Sequence, residues 1–200
     1  MCTVKNNFSL RKYNTFGVDA YAKFYTKFSS DKELLTILKN INTNQAIILG
    51  GGSNILFTKH IYDTVLHNYI KGIYITKENK HDVWVEVGAG ENWHDFVLWS
   101  VKNNFSGVEN LALIPGSVGA SPIQNIGAYG MEVKDSIEEV VTIELKSGKT
   151  KNFSNDECKF KYRESIFKKK WKNKYIITKL VFKLNKKHLN ITSYGDVKDE

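Results

Sequence analysis

The twenty residues LALIPGSVGASPIQNIGAYG, at 111–130, constrain this chain more than any other part of it. Both prolines are here, Pro115 and Pro122, with Gly116, Gly119, Gly127 and Gly130. The stretch carries no charge, although 25% of the whole chain is charged. Proline and glycine make it rich in exposed main chain. The side chains between them, among them Ser117, Ser121, Gln124 and Asn125, offer only neutral hydrogen bonds. Such a segment suits a large neutral heterocycle with amide-like edges. It equally suits a packed Ω-loop with no ligand.

Composition narrows the class. Two hundred residues, 42% of them hydrophobic, bury a useful core as one or two domains. The apolar runs are short, as in Ile47-Ile48-Leu49, so no membrane span is expected. The start, MCTVKNNFSLRKYN, lacks the apolar middle of a signal peptide. Two cysteines, Cys2 and Cys158, fit a reducing cytoplasm better than a disulfide scaffold. Cys158 is expected in the core. The net charge of +8 is nearly all lysine, with Arg11 and Arg163 the exceptions. This is a general compositional bias rather than a phosphate-binding face, so no nucleic-acid partner is expected. The run FKKKWKNK at 167–174 reads as a solvated loop. The five histidines show no metal-ligand spacing, and no metal is expected.

The pattern along the chain predicts an α+β fold. AYAKFYTKF (20–28) reads as a strand. SSDKELLTILKNI follows as a helix, with Ser30 and Glu33 in a capping-box pattern and Leu34, Leu38 and Ile41 on one face. AIIL (46–49) is a short buried strand running into GGGSN. A second region is expected from residue 64. In it, Val83, Val85 and Val87 alternate inward along a strand. Trp93, Phe96, Val97 and Val101 share a helical face. IEEVVTIELKSGKTKNF forms a hairpin turning at Ser147-Gly148, and residues 174–184 form another long strand.

The run Gly50-Gly51-Gly52-Ser53-Asn54 leaves a strand without the helical period of a Rossmann fingerprint. Its amides can form an anion nest suited to a pyrophosphate. A tight strand-end turn is the alternative. Two glycine-rich segments in different regions favour one ligand lying between them.

Five motifs in order carry a resemblance: NTFGVDAYA (14–22), ILGGGSNILF (48–57), VEVGAGENWHDFV (85–97), PGSVGASPIQNIGAYG (115–130) and YRESIFK (162–168). Together they resemble the UDP-N-acetylenolpyruvoylglucosamine reductase (MurB) family, flavoenzymes of peptidoglycan synthesis. The resemblance implies a two-subdomain FAD-binding fold of the PCMH, or vanillyl-alcohol-oxidase, type. It implies FAD-binding subdomains at 1–63 and 64–186, a combined FAD domain at about 17–184, and the start of a substrate-binding part at 187–200. FAD would be held noncovalently, with Gly50, Gly51, Gly52, Ser53 and Asn54 at the pyrophosphate. Pro115, Gly116, Ser117, Val118, Ser121, Gln124, Asn125, Gly127, Ala128 and Tyr129 would wrap the flavin. NADPH would supply the hydride, and UDP-N-acetylglucosamine enolpyruvate would be the substrate. Arg163 falls on the family's catalytic arginine, and Tyr162, Arg163 and Tyr194 on its substrate side. A planar guanidinium holds a carboxylate by two hydrogen bonds and stabilises enolate charge. Without the motif, Arg163 would read as a surface arginine bridging Glu164 or Asp156. The resemblance further implies a cytoplasmic monomer. The family's proton-donor serine motif and C-terminal catalytic glutamate have no counterpart in this sequence. The substrate domain is therefore expected to be missing, as in a fragment or a truncated gene product. Another flavin oxidase of the same fold, or an inactive FAD-binding fragment, is the alternative.

Overall fold

The computed structural model describes residues 3–41 and 46–187. Two sheets form its frame. The first has strands β1 (Lys5–Ser9), β2 (Tyr21–Phe28), β3 (Ile47–Leu49) and β4 (Ile61–Asn68), in the order β1-β2-β4-β3. β4 runs parallel to both β2 and β3, and β1 pairs antiparallel with β2. Helix α1 (Asp31–Leu38) links β2 to β3. The Ser30 hydroxyl accepts from the Glu33 amide as an N-cap. The Glu33 carboxylate reaches back one residue further than expected, accepting from the amide and hydroxyl of Ser29.

The second sheet is antiparallel: β5 (Ile73–Glu78), β6 (Asp82–Gly88), β9 (Ile137–Glu144), β10 (Thr150–Ser154) and β11 (Tyr175–Asn185), in the order β10-β9-β11-β6-β5. Val83, Val85 and Val87 are fully buried, as their alternation requires. The β9–β10 hairpin closes at Ser147-Gly148, where Gly148 takes φ +68°. Helix α2 (Trp93–Lys102) covers this sheet with Trp93, Phe96, Val97 and Ser100. Val101, expected inward, is 47% exposed. The helix buries positions i, i+3, i+4 and i+7 instead, and Ser100 is accommodated because its hydroxyl donates to the Phe96 carbonyl at 3.0 Å.

β4 corrects the expected division at residue 64. It lies whole in the first sheet, so the chain changes sheets after Asn68. Its buried end, Thr64 to Asn68, pairs with β2 and β3 on either side, which a cut at 64 would break. The two halves share a core. Phe28, Leu34, Ile37 and Leu66 pack with Ile143, Leu145 and Ile176. A buried amide crosses the join: Asn68 Nδ2 donates to the Ile177 carbonyl at 3.0 Å, and Asn68 Oδ1 accepts from the Ile70 amide at 3.0 Å. Asn68→Ala leaves both backbone groups without these partners. It should cost about 1–3 kcal/mol in a denaturant melt.

Candidate dinucleotide-binding site

The loop 50–54 leaves the end of β3 and meets the segment 115–124 backbone to backbone. A Cβ at Gly50 would stand 2.4 Å from Ser117 Oγ, and one at Gly51 3.1 Å from Gly116 Cα. Ser53 Oγ donates to the Pro115 carbonyl at 3.1 Å, and Asn54 Nδ2 to Gln124 Oε1 at 3.1 Å. Gly52 takes φ +69° and rests on the residues before it in space: its carbonyl accepts from the amide and hydroxyl of Thr15, both at 3.1 Å. Among the described residues, none accepts from the amides of Gly51, Gly52, Ser53 or Asn54. Four successive donors are thus left for an anion or for water, the pattern of a backbone nest.

A cavity of about 290 Å³ lies along this contact, bounded by Gly50 to Ile55, Trp93, Pro115 to Ser117, Ser121 and Gln124. A second cavity, of about 410 Å³, shares Ile48, Leu49, Gly50, Ser117, Ala120 and Ile123 with it. It continues between the two sheets to Phe167, Lys168, Lys172 and Asn173. The pair forms a long cleft between the halves, of the size that ligand sites commonly have.

The uncharged segment owes much of its neutrality to packing. Leu111, Val118, Ser121, Asn125 and Ile126 are buried. Val118 sits in the core of the second half, and its amide donates to the Glu91 carbonyl. Ser121 Oγ donates to the Val118 carbonyl at 2.8 Å. The fully buried Asn125 takes φ +45°. Its amide donates to Glu132 Oε1 and to the Lys161 carbonyl, and its Oδ1 accepts from the Lys134 amide. Ser121 is at the cavity wall but self-satisfied, and Asn125 is a stitch holding the segment's shape. Gly127 and Ala128 form strand β7, paired with β8 (Met131–Glu132). The turn between them puts Tyr129 and Gly130 at positive φ, 46° and 77°, and leaves Tyr129 55% exposed.

YRES forms a tight turn of its own. Lys161 and Glu164 exchange backbone hydrogen bonds of 3.0 Å, which places Tyr162 and Arg163 at its tip. Arg163 takes φ +53°, and its Nη2 donates to the Gly127 carbonyl at 2.7 Å. Its guanidinium stands 5.7 Å from the centre of the Tyr162 ring, itself 82% exposed. Glu164 pairs instead with Lys169 at 3.1 Å. The structure therefore brings Arg163 to the end of the uncharged segment rather than to an acidic surface partner. Cys158 is buried, and burial pushes its thiol up to about 12, which suits packing and not nucleophilic attack. Tyr194 lies outside the described residues.

Sequence reasoning did not single out Tyr13, Thr15, His67, Lys168 or Lys172 as site residues. The first two sit at the NTFG motif, and Lys168 closes YRESIFK, so motif membership was a usable signal there. Lys172 was read as part of a solvated run, and only the fold carries it to the cleft.

Comparison with known proteins follows from this geometry. Residues 22–154 match the family described as FAD binding domain. The UDP-N-acetylenolpyruvoylglucosamine reductase of Flavobacterium johnsoniae is 52% identical over 97% of this chain and 58% of its own length. That of Photorhabdus laumondii is 44% identical over 94% and 56%. The chain thus spans less than two thirds of the length of these relatives. The crystal structure of MurB from Thermus caldophilus superposes with a TM-score of 0.76 at 25% identity, over 94% of this chain and 64% of that one. The 6-hydroxy-D-nicotine oxidase of Arthrobacter nicotinovorans shares the fold, with a TM-score of 0.64 at 16% identity, over 92% and 42%.

Proposed function

Because the chain belongs to the FAD binding domain family, and within it to the UDP-N-acetylenolpyruvoylglucosamine reductases, we propose that it forms the FAD-holding part of an enzyme that reduces UDP-N-acetylglucosamine enolpyruvate to UDP-N-acetylmuramate with NADPH. The observation that carries this reading is the run of four free amides at Gly51 to Asn54, facing a second glycine-rich segment across a neutral cleft.

The residues present fit FAD. The loop Gly50 to Asn54 offers its amides to the pyrophosphate, whose charge they neutralise without a cation. Gly116 and Ser117 press on that loop and leave the approach free of side chains. Lys168 and Lys172, at the far cavity, lie where the adenosine end would extend. The β7–β8 turn and Tyr129 border the flavin's side. When bound, FAD supplies the hydride-transfer chemistry. The chain's own contribution is to hold and orient. Arg163 uses one N–H on the Gly127 carbonyl and keeps the rest of its fork for a carboxylate. Charge growing on an enolate-like carboxylate is stabilised by that fixed cation. No helix among the described residues is long and apolar enough to cross a membrane.

The oxidases that share this fold make covalent attachment through histidine worth weighing. Here His60 accepts from the Tyr21 amide beside β1 and β2, away from the loop. His67 is close to the loop but buried, with both sides of its ring engaged. Noncovalent binding is therefore expected: acid precipitation of the yellow protein should release the flavin into the supernatant. Colour retained in the pellet would overturn this, and a chain that purifies colourless and takes up no FAD would overturn the FAD reading itself.

A further inference from the structure

The glycine loop stands on a buried aromatic cluster that its sequence motif does not include. Phe8, Tyr13, Tyr25, His67 and Tyr69 meet beneath it. Phe8 stacks on Tyr25 with centroids 4.0 Å apart, and Tyr13 meets the His67 ring edge-on at 5.3 Å. Tyr69 meets the same ring at 4.5 Å. His67 lies on β4 opposite Leu49, the last residue of β3 before the loop. The Tyr25 hydroxyl is 2.8 Å from its Nδ1. The ring also hydrogen-bonds the backbone of Gly50, an interaction that favours the protonated form and is therefore with a carbonyl. A carbonyl only accepts, so the nitrogen facing Gly50 carries the hydrogen. In the neutral ring Nδ1 is then the acceptor, and Tyr25 O–H the donor. The cluster supports the loop at a second point: the Tyr13 carbonyl lies where a Cβ of Gly52 would be, at 2.1 Å.

We propose that His67, held as one neutral tautomer by Tyr25, is a positioning residue that fixes the Gly50 end of the loop in the shape that receives the dinucleotide. This rests on the FAD reading above and extends it to a group outside the cleft. The loop's amides can converge on one anion only if the turn is held open in advance. A loop free to relax would pay that ordering on binding. His67 ties the loop's first residue to the sheet, as Thr15 ties its third.

The charged and titratable groups around the ring are few. Lys27 on β2 repels a second positive charge, and Tyr13, Tyr25 and Tyr69 are the other titratable neighbours. Burial, first, and Lys27 hold the imidazole down at about 4, against a partial opposing effect of Gly50. The depressed value means that the neutral form belongs to the ordered state. That order is complete above the ordinary imidazole range near 6.5 and is lost as pH falls toward 4. Charging the ring turns Nδ1 into a donor, which ends its acceptance of the Tyr25 hydrogen.

The test is a titration of FAD into the apo chain by flavin fluorescence, with thermal melts of the same apo samples. At neutral pH, His67→Phe keeps a ring but loses both hydrogen bonds, and its Kd should rise about tenfold. His67→Gln, whose amide can still donate to Gly50, should recover part of that loss. Tyr25→Phe, which removes one hydroxyl, should raise Kd by a smaller factor. For the wild type, Kd should climb between pH 6 and pH 4 more steeply than for His67→Gln. If His67→Phe or Tyr25→Phe lowers the melting temperature while Kd stays at the wild-type value, His67 is only a core residue and the proposal falls. Equal pH profiles for wild type and His67→Gln also overturn it. A wild-type chain that binds no FAD overturns the reading on which it rests.

Discussion

Gly52→Val should destabilise the chain by about 3 kcal/mol or more and remove FAD binding along with the fold. The glycine holds φ +69°, where an L side chain is strained. Its Cβ would stand 2.1 Å from the Tyr13 carbonyl oxygen and 2.8 Å from the carbonyl carbon. Those are backbone atoms that cannot rotate away. Sequence reasoning expects Gly51→Val and Gly52→Val alike to harm FAD binding more than folding, because a branched side chain would block a ligand. The structure separates the two positions. At Gly52 the obstacle is the protein itself. At Gly51 a Cβ would stand 3.1 Å from Gly116 Cα, so the two loops need part by only a few tenths of an ångström. Gly51→Ala should therefore lower FAD affinity with a small change in melting temperature. Thermal melts and FAD titrations of both variants decide this, and a Gly52→Val chain that melts like the wild type would refute it.

Arg163→Lys should cost about 10²-fold in turnover while leaving FAD bound, in a chain extended to the full length of its relatives. Arg163 must reach the Gly127 carbonyl and a substrate carboxylate together. A planar fork does both, whereas an ammonium is a single point charge that cannot reproduce the geometry. Lysine at φ +53° is strained no more than arginine, so the change tests the fork and not the backbone. Steady-state turnover with the FAD content of each variant checks it. Full activity in the lysine variant would remove Arg163 from the proposed role, and loss of FAD would make it a structural contact of the β7–β8 turn.

Local order was legible wherever it depends on neighbours along the chain. The period of Val83, Val85 and Val87, the Ser30 cap and the Ser147-Gly148 turn each follow from a few adjacent residues. The presence of two glycine-rich segments was legible too, and so was the oddity of an arginine in a lysine-rich chain. What could not be read was anything decided by contacts between distant segments. β4 was divided between two regions because sheet membership depends on its partners β2 and β3, not on its own pattern. Val101 was expected inward because the edge of a helical face is settled by what packs on it.

The same limit governs the site. By itself the sequence determined that Gly50 to Asn54 and residues 111–130 would be uncharged, flexible in φ and close to main chain, since those are properties of the residue types. Only the tertiary structure decided how each position is used. It turned Asn125 and Ser121 inward as satisfied stitches and pressed Gly50 and Gly51 against Ser117 and Gly116. It also brought His67, a histidine with no motif around it, beneath the loop from a neighbouring strand. Side-chain chemistry is written locally, but which groups are satisfied by the protein, and which are left for a ligand, is settled only when distant strands meet.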